Sequence, residues 1–242
     1  MMGTLFRSLA LVGAVLISGH TWAQPVVDQV YSPNPANGGV LLNSSFEGRP
    51  LWLAQSFTAG LSGQLSAVDL AIWRDSGASD NLVFQVFELN GDQTLGAMLG
   101  SAAIASTEVA VGVSGSWIPA PGSDPLATHV NLFTQGIQVQ LGSAYMLAVS
   151  ALNPAASTPF DSAIVWIGNL QTPNTIDPYP GGRRFYNYTP ALAPGDSLLS
   201  PMPLEDFGFR TFVSAVPDAS GALLALAGVA LIAARVRRRT AW

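Results

Sequence analysis

Leu65-Ser66-Ala67-Val68-Asp69-Leu70-Ala71-Ile72-Trp73 and Leu82-Val83-Phe84-Gln85-Val86-Phe87-Glu88-Leu89 decide the fold class of this chain. In the first stretch Leu65, Ala67, Asp69, Ala71 and Trp73 alternate with Ser66, Val68, Leu70 and Ile72; in the second, Gln85 interrupts an otherwise apolar series. Alternation of period two marks a strand, because successive side chains leave a pleated backbone on opposite faces. Segments of the same kind cover residues 55–59, 102–111, 129–133, 137–141, 145–151, 163–167, 184–188 and 207–213. They are rich in Val, Ile, Phe, Tyr and Thr, and Gly, Pro, Asn, Asp and Ser clusters separate them. Capped helical spacing is hard to find before residue 216, so the crossover helices of a parallel α/β fold are missing. No fixed-period repeat suggests a propeller or solenoid. The pattern predicts an all-β domain over residues 24–215, an antiparallel two-sheet β-sandwich or jelly roll.

Composition narrows the function. The 242 residues contain no cysteine and no lysine. Disulfide frameworks, cysteine zinc sites, iron–sulfur clusters and thiol nucleophiles are therefore excluded. Charged residues are 10% of the chain, against roughly 25% in an ordinary soluble domain. Between residues 24 and 215, five arginines (Arg49, Arg74, Arg183, Arg184 and Arg210) face fourteen acidic residues, a net charge near −9. Such a body repels anionic partners, and no nucleic acid is expected to bind it.

The two ends read as addresses. Residues 1–23 carry Arg7, an apolar run over 9–17 and the small-residue site Thr21-Trp22-Ala23. This is the build of a secretory signal peptide and predicts cleavage by signal peptidase before Gln24. An uncleaved anchor is the competing reading, but Ser18, Gly19 and His20 follow a run that is short for spanning. At the other end, Val216-Pro217-Asp218-Ala219-Ser220-Gly221 precedes an apolar run over 222–234. Arg235, Arg237, Arg238 and Arg239 come next. As a helix, Ser220 to Ala234 would span about 22 Å, short of a hydrocarbon core of about 30 Å unless the arginines snorkel. The arginine cluster is expected to stay cytoplasmic, leaving the body outside. A permanent single-span anchor and a core helix are the alternatives. Against the second, Leu223, Leu224, Leu226, Val229, Leu231 and Ile232 wrap every helical face.

The order of motif, short apolar helix and arginine cluster resembles the C-terminal sorting signal of bacterial PEP-CTERM proteins. The segment Val216–Gly221 is similar to the Val-Pro-Asp-Ser-Gly variant with an alanine inserted. The resemblance implies recognition of Val216, Pro217, Asp218, Ala219, Ser220 and Gly221 by an exosortase-type membrane protease. It further implies topology held by Arg235, Arg237, Arg238 and Arg239, a membrane-held and then surface-exposed or extracellular body, and association with extracellular polysaccharide and biofilm. In the body, Gln55-Ser56-Phe57-Thr58-Ala59-Gly60 with Leu65–Leu70, Gly181–Tyr186 and Asp206–Val213 resemble sandwich domains of bacterial surface proteins with interchangeable anchors. That likeness implies no catalytic residue, and it reads Gly181–Tyr186 as an exposed turn.

Reactive chemistry finds few footholds. After signal removal His129 is the remaining histidine, and Gly112-Val113-Ser114-Gly115 is no nucleophile elbow. Glu205 and Asp206 are adjacent and would point to opposite faces of a strand, whereas Asp75 and Asp80 flank a hairpin loop. Asp75, Ser76, Asp80 and Asn81 could offer oxygens to calcium, without the spacing of a calcium loop. No phosphate loop or dinucleotide fingerprint occurs. The expectation is no catalytic residue, no metal and no cofactor. Sugar binding is the serious alternative, since ring faces cover apolar C–H groups of sugars. The body holds Trp52, Trp73, Trp117, Trp166, Tyr179, Tyr186 and Tyr188. Trp73 and Trp166 sit in apolar runs and read as core. Trp117 and Tyr179 lie in loop-like segments and are the candidate ligand-binding residues, with residues 173–180 as exposed surface.

Overall fold

In a computed structural model, the chain is described over residues 24–91, 93–113, 117–153, 162–169, 179–198 and 205–214. The signal segment, the sorting motif Val216–Gly221 and the arginines 235 and 237–239 lie outside the described residues. Among the described residues no helix is long and apolar enough to cross a membrane.

The described fold is all-β. In chain order the strands are β1 (Val26–Tyr31), β2 (Gly39–Leu41), β3 (Ser45–Phe46), β4 (Arg49–Thr58), β5 (Gly63–Leu70), β6 (Ile72–Arg74), β7 (Leu82–Leu89) and β8 (Leu95–Ile104). They continue with β9 (Ala110–Val111), β10 (Thr128–Asn131), β11 (Gln138–Val139), β12 (Ala144–Ala151), β13 (Ile164–Ile167), β14 (Arg184–Tyr188) and β15 (Phe209–Ser214). Three sheets form rather than two. One runs β1-β15-β5-β10 with β11 also on β5, the second β14-β4-β12-β7-β8 with β3 on β4, and the third β2-β13-β6-β9. All pairings are antiparallel except the short β6–β9 pair.

The stretch 65–73, read as one strand, breaks at Ala71 and serves two sheets. Ala71 donates its N–H to Gly208 and accepts from Ile167, while Gly208 donates to Ile167. Before this corner the chain pairs with β15, and after it with β13. The alternation also slips: Leu65 points to the core, but the next core residues are Val68 and Leu70 rather than Ala67 and Asp69, and Ala71, Ile72 and Trp73 are all buried. The cause is a β-bulge, a register shift opposite Phe212/Val213, which moves later side chains to the other face. The expected strand 102–111 is likewise divided. Glu108 accepts from Ala105 N–H at 2.9 Å and Asn81 Oδ1 from Ser106 N–H at 2.9 Å. The local Glu108 bond and the long-range one to Asn81 fix a 3₁₀ turn at Ser106–Glu108 that outcompetes the ladder.

One core receives side chains from all three sheets, including Phe57, Phe84, Leu147, Leu70 and Trp166. A second cluster lies on the opposite face of β4, β12 and β7, where Trp52, Met146 and Phe87 meet Leu192 and Leu198. The loop carrying those leucines is pinned by Trp52 Nε1–H to Thr189 O (3.1 Å) and by exchanged backbone bonds of Leu95 with Gly195 and Asp196. Burial on both faces explains why β4 and β12 read as nearly unbroken apolar runs.

Candidate functional site

The expected ligand residues are not free ring platforms. Tyr179 is buried, 8% exposed. Its ring stands edge-on to Phe209 at 5.2 Å and stacks near Tyr31 at 6.5 Å, and its hydroxyl donates to Gln29 Oε1 at 3.0 Å. Burial first, then the Asp28 and Asp206 charges, pushes its phenol well above the ordinary value. The expectation of an exposed Tyr179 therefore fails: the ring gains more from the core than from water. Trp117 is half-buried and packs against the same core. Trp73 and Trp166 are core residues, each with its indole N–H on a carbonyl, of Pro125 (2.8 Å) and Gly208 (2.9 Å).

The glycines behind Tyr179 form a docked turn, not an exposed one. Gly182 N–H reaches Tyr179 O at 3.1 Å, and Thr58 Oγ1 donates to Gly181 O at 3.0 Å. Ser56 and Arg183 are joined by the bond from Ser56 N–H to Arg183 O (2.9 Å) and by Arg183 N–H to Ser56 Oγ (2.9 Å). A Cβ on Gly182 would overlap the Ser56 carbonyl. Glycine is required there for close approach of two backbones.

That turn delivers β14 to the edge of its sheet and creates the site sequence reasoning passed over. Arg184, Tyr186 and Tyr188 lie on one face at period two, opposite Gln55, Leu53 and Leu51 of β4. With Val40 of β2 and Phe207 they line a groove of about 290 Å³. Tyr186 and Tyr188 meet edge to face at 6.1 Å, and exposed Phe46 continues the aromatic row 5.6 Å from Tyr188. The signal was present in Arg184-Phe185-Tyr186-Asn187-Tyr188, three aromatics in five residues with Tyr186 and Tyr188 two apart. Which face would meet a cleft depended on β2, far away in sequence.

One end of the groove is charged. Arg184 ion-pairs with Glu205, its guanidinium lies 5.6 Å from the Phe207 ring centre, and Phe207 stacks on Trp166 at 4.7 Å. Burial lowers the Arg184 guanidinium from its ordinary value, and Glu205 opposes this. Beneath, Gln55 bridges Asp206 and Phe207: its Nε2 donates to Asp206 Oδ1 at 2.8 Å and its Oε1 accepts from Phe207 N–H at 2.7 Å. The Arg184 Nε is buried with no hydrogen-bond acceptor among the described residues.

A second polar cluster lies on the outer side of β10, β5 and β15. His129 Nδ1 is 2.7 Å from Asp69 Oδ1, and Arg210 reaches Asp69 Oδ2 (3.2 Å) and Asp124 Oδ2 (3.0 Å). It borders a shallow hollow of about 370 Å³ with Ser66 and Phe133. Ser66 is not positioned as a nucleophile, since its hydroxyl donates to Phe212 O at 3.1 Å.

The loop considered for calcium is organised around an internal cation. Arg74 Nη1 donates to the carbonyls of Asp75, Ser76 and Ala78. Asp75 Oδ2 accepts from Ala163 N–H, and Asp80 Oδ2 from Asn43. The guanidinium takes the carbonyl oxygens a calcium ion would need. Among the described residues no group of three or more acidic, histidine or cysteine side chains could hold a metal.

No family model matches the chain, and no curated protein matches it.

Proposed function

We propose that this chain is an exported, surface-sorted protein whose body serves as a non-enzymatic component of the cell surface or extracellular matrix. The observation that carries the reading is the order Val216–Gly221, apolar run over 222–234, then Arg235 and Arg237–Arg239. That order fits a helix held in the membrane by positive charge while a protease of the exosortase type cuts at the motif. We read the three sheets as two layers of a sandwich, with the 63–74 ribbon crossing between them at Ala71. A body near −9, with Arg74, Arg184 and Arg210 bonded within the fold, suits solubility outside the cell.

Intact mass of the protein recovered from the cell surface tests this. The expected species begins at Gln24 and ends within residues 216–221. A species keeping residues 222–242 in the membrane fraction would make the protein a single-span anchored one and overturn the sorting step. Deletion of residues 216–242 is expected to divert the body to periplasm or medium; unchanged surface retention would overturn the reading as well.

A further inference from the structure

We propose that the groove between β14 and β2 is a binding site for one neutral hexopyranose ring of a glycan. The assignment goes beyond surface sorting and does not depend on the fate of the tail.

Size sets the first limit. At about 290 Å³ the groove stands at the low end of small-molecule sites, room for a single ring rather than a large ligand. Lining sets the second. Leu51, Leu53 and Phe207 give an apolar floor, and Tyr186 and Tyr188 flank it with half-exposed rings and hydroxyls. A ligand filling it needs one apolar face and a polar perimeter. A pyranose has both, its axial C–H groups on one side and hydroxyls round the rim.

Charge sets the third limit. A cationic ligand would meet the Arg184 guanidinium at the groove's end. An anionic one would meet Glu205 and Asp206 behind it and a body near −9. Neutral ligands escape both penalties. Phe46, 59% exposed beside Tyr188, extends the row where a next sugar of a chain would lie.

The test uses the full chain, purified in an amine-oxide detergent because sugar-headed detergents would compete. Saturation-transfer NMR and titrations are run with the methyl glycosides of glucose, galactose and mannose, with methyl glucuronide and choline as charged counterparts. At least one neutral glycoside is expected to bind, with saturation concentrated on the C–H groups of one ring face. Tyr186→Ala and Tyr188→Ala are each expected to weaken it about tenfold, whereas Phe133→Ala, in the other hollow, leaves it unchanged. Should either alanine variant unfold on melting, Tyr188→Phe is expected to retain binding and Val40→Trp, which fills the groove, to abolish it. No binding by any of the three glycosides would overturn the proposal. So would affinity unchanged by the groove variants, or tighter binding of glucuronide or choline.

Discussion

The groove and the outer cluster solve the same pairing problem in opposite settings. At the groove's end, Arg184 and its partner Glu205 have side chains 14% and 4% exposed, with the guanidinium over the Phe207 ring. On the outer sheet face, His129 and Asp124 are 57% and 51% exposed, linked through Asp69 and Arg210. Both regions attach an arginine on one strand to carboxylates brought from elsewhere in the chain. The difference is dielectric. Water screens the outer cluster at its ends, His129 and Asp124, although Asp69 between them is 11% exposed, so the contacts made by those ends organise a surface at little energetic consequence. The inner pair has shed its water, so each partner depends on the other.

The largest expected effect comes from breaking the inner pair. Glu205→Gln leaves Arg184 buried without its counter-charge and is expected to destabilise the body by about 3–5 kcal/mol, read from denaturant midpoints. A loss under about 1 kcal/mol, the range of exposed pairs, would erase the contrast. His129→Gln addresses the exposed end of the outer cluster, with an expected cost of about 0–1 kcal/mol. A loss of several kcal/mol would place that cluster with the buried pair.

The smallest effect sharpens the comparison through pH. Asp124 is held below the ordinary carboxylate value, first by the Leu126 N–H and then by Arg210, with burial opposing. Its folded value lies below its unfolded one, so its contribution is present above the unfolded value and is lost as pH falls through the folded one. Asp28 has the opposite sign. Burial raises it despite the opposing pull of the nearby Gly60 and Leu61 N–H groups, so the folded state binds its proton more readily. Its penalty at neutral pH is relieved as pH falls through the raised value. Melting curves across the acid range are expected to flatten for Asp124→Asn, whereas Asp28→Asn gains stability at neutral pH. Equal slopes in both variants would contradict these assignments.

Much of the strand pattern was legible because it is local. Residues 82–89, 145–151 and 184–188 match β7, β12 and β14 within a residue, since short apolar, β-branched and aromatic runs bounded by turn residues are written into neighbouring side chains. β1 was not read as a strand: Val26, Val27 and Val30 stay about half exposed on an edge, leaving weak alternation. The candidate site was legible only as an inventory of aromatics. Tyr179 and Trp117 were favoured because their neighbours look loop-like, yet loop backbone does not fix where a ring points.

By itself the sequence determined the all-β class, the acidic lysine-free body and the order of the C-terminal motif, apolar run and arginines, because composition, charge and short-range periodicity need no partner. Only the tertiary structure decided that the chain turns a corner at Ala71, that Tyr179 faces inward and that Tyr186 and Tyr188 face a groove. Each of those outcomes depends on pairing segments far apart in the chain: Ala71 with Gly208, Tyr179 with Gln29, and β14 with β4 beside Val40. Such pairings are fixed by competition for burial across the whole body, which no local stretch contains.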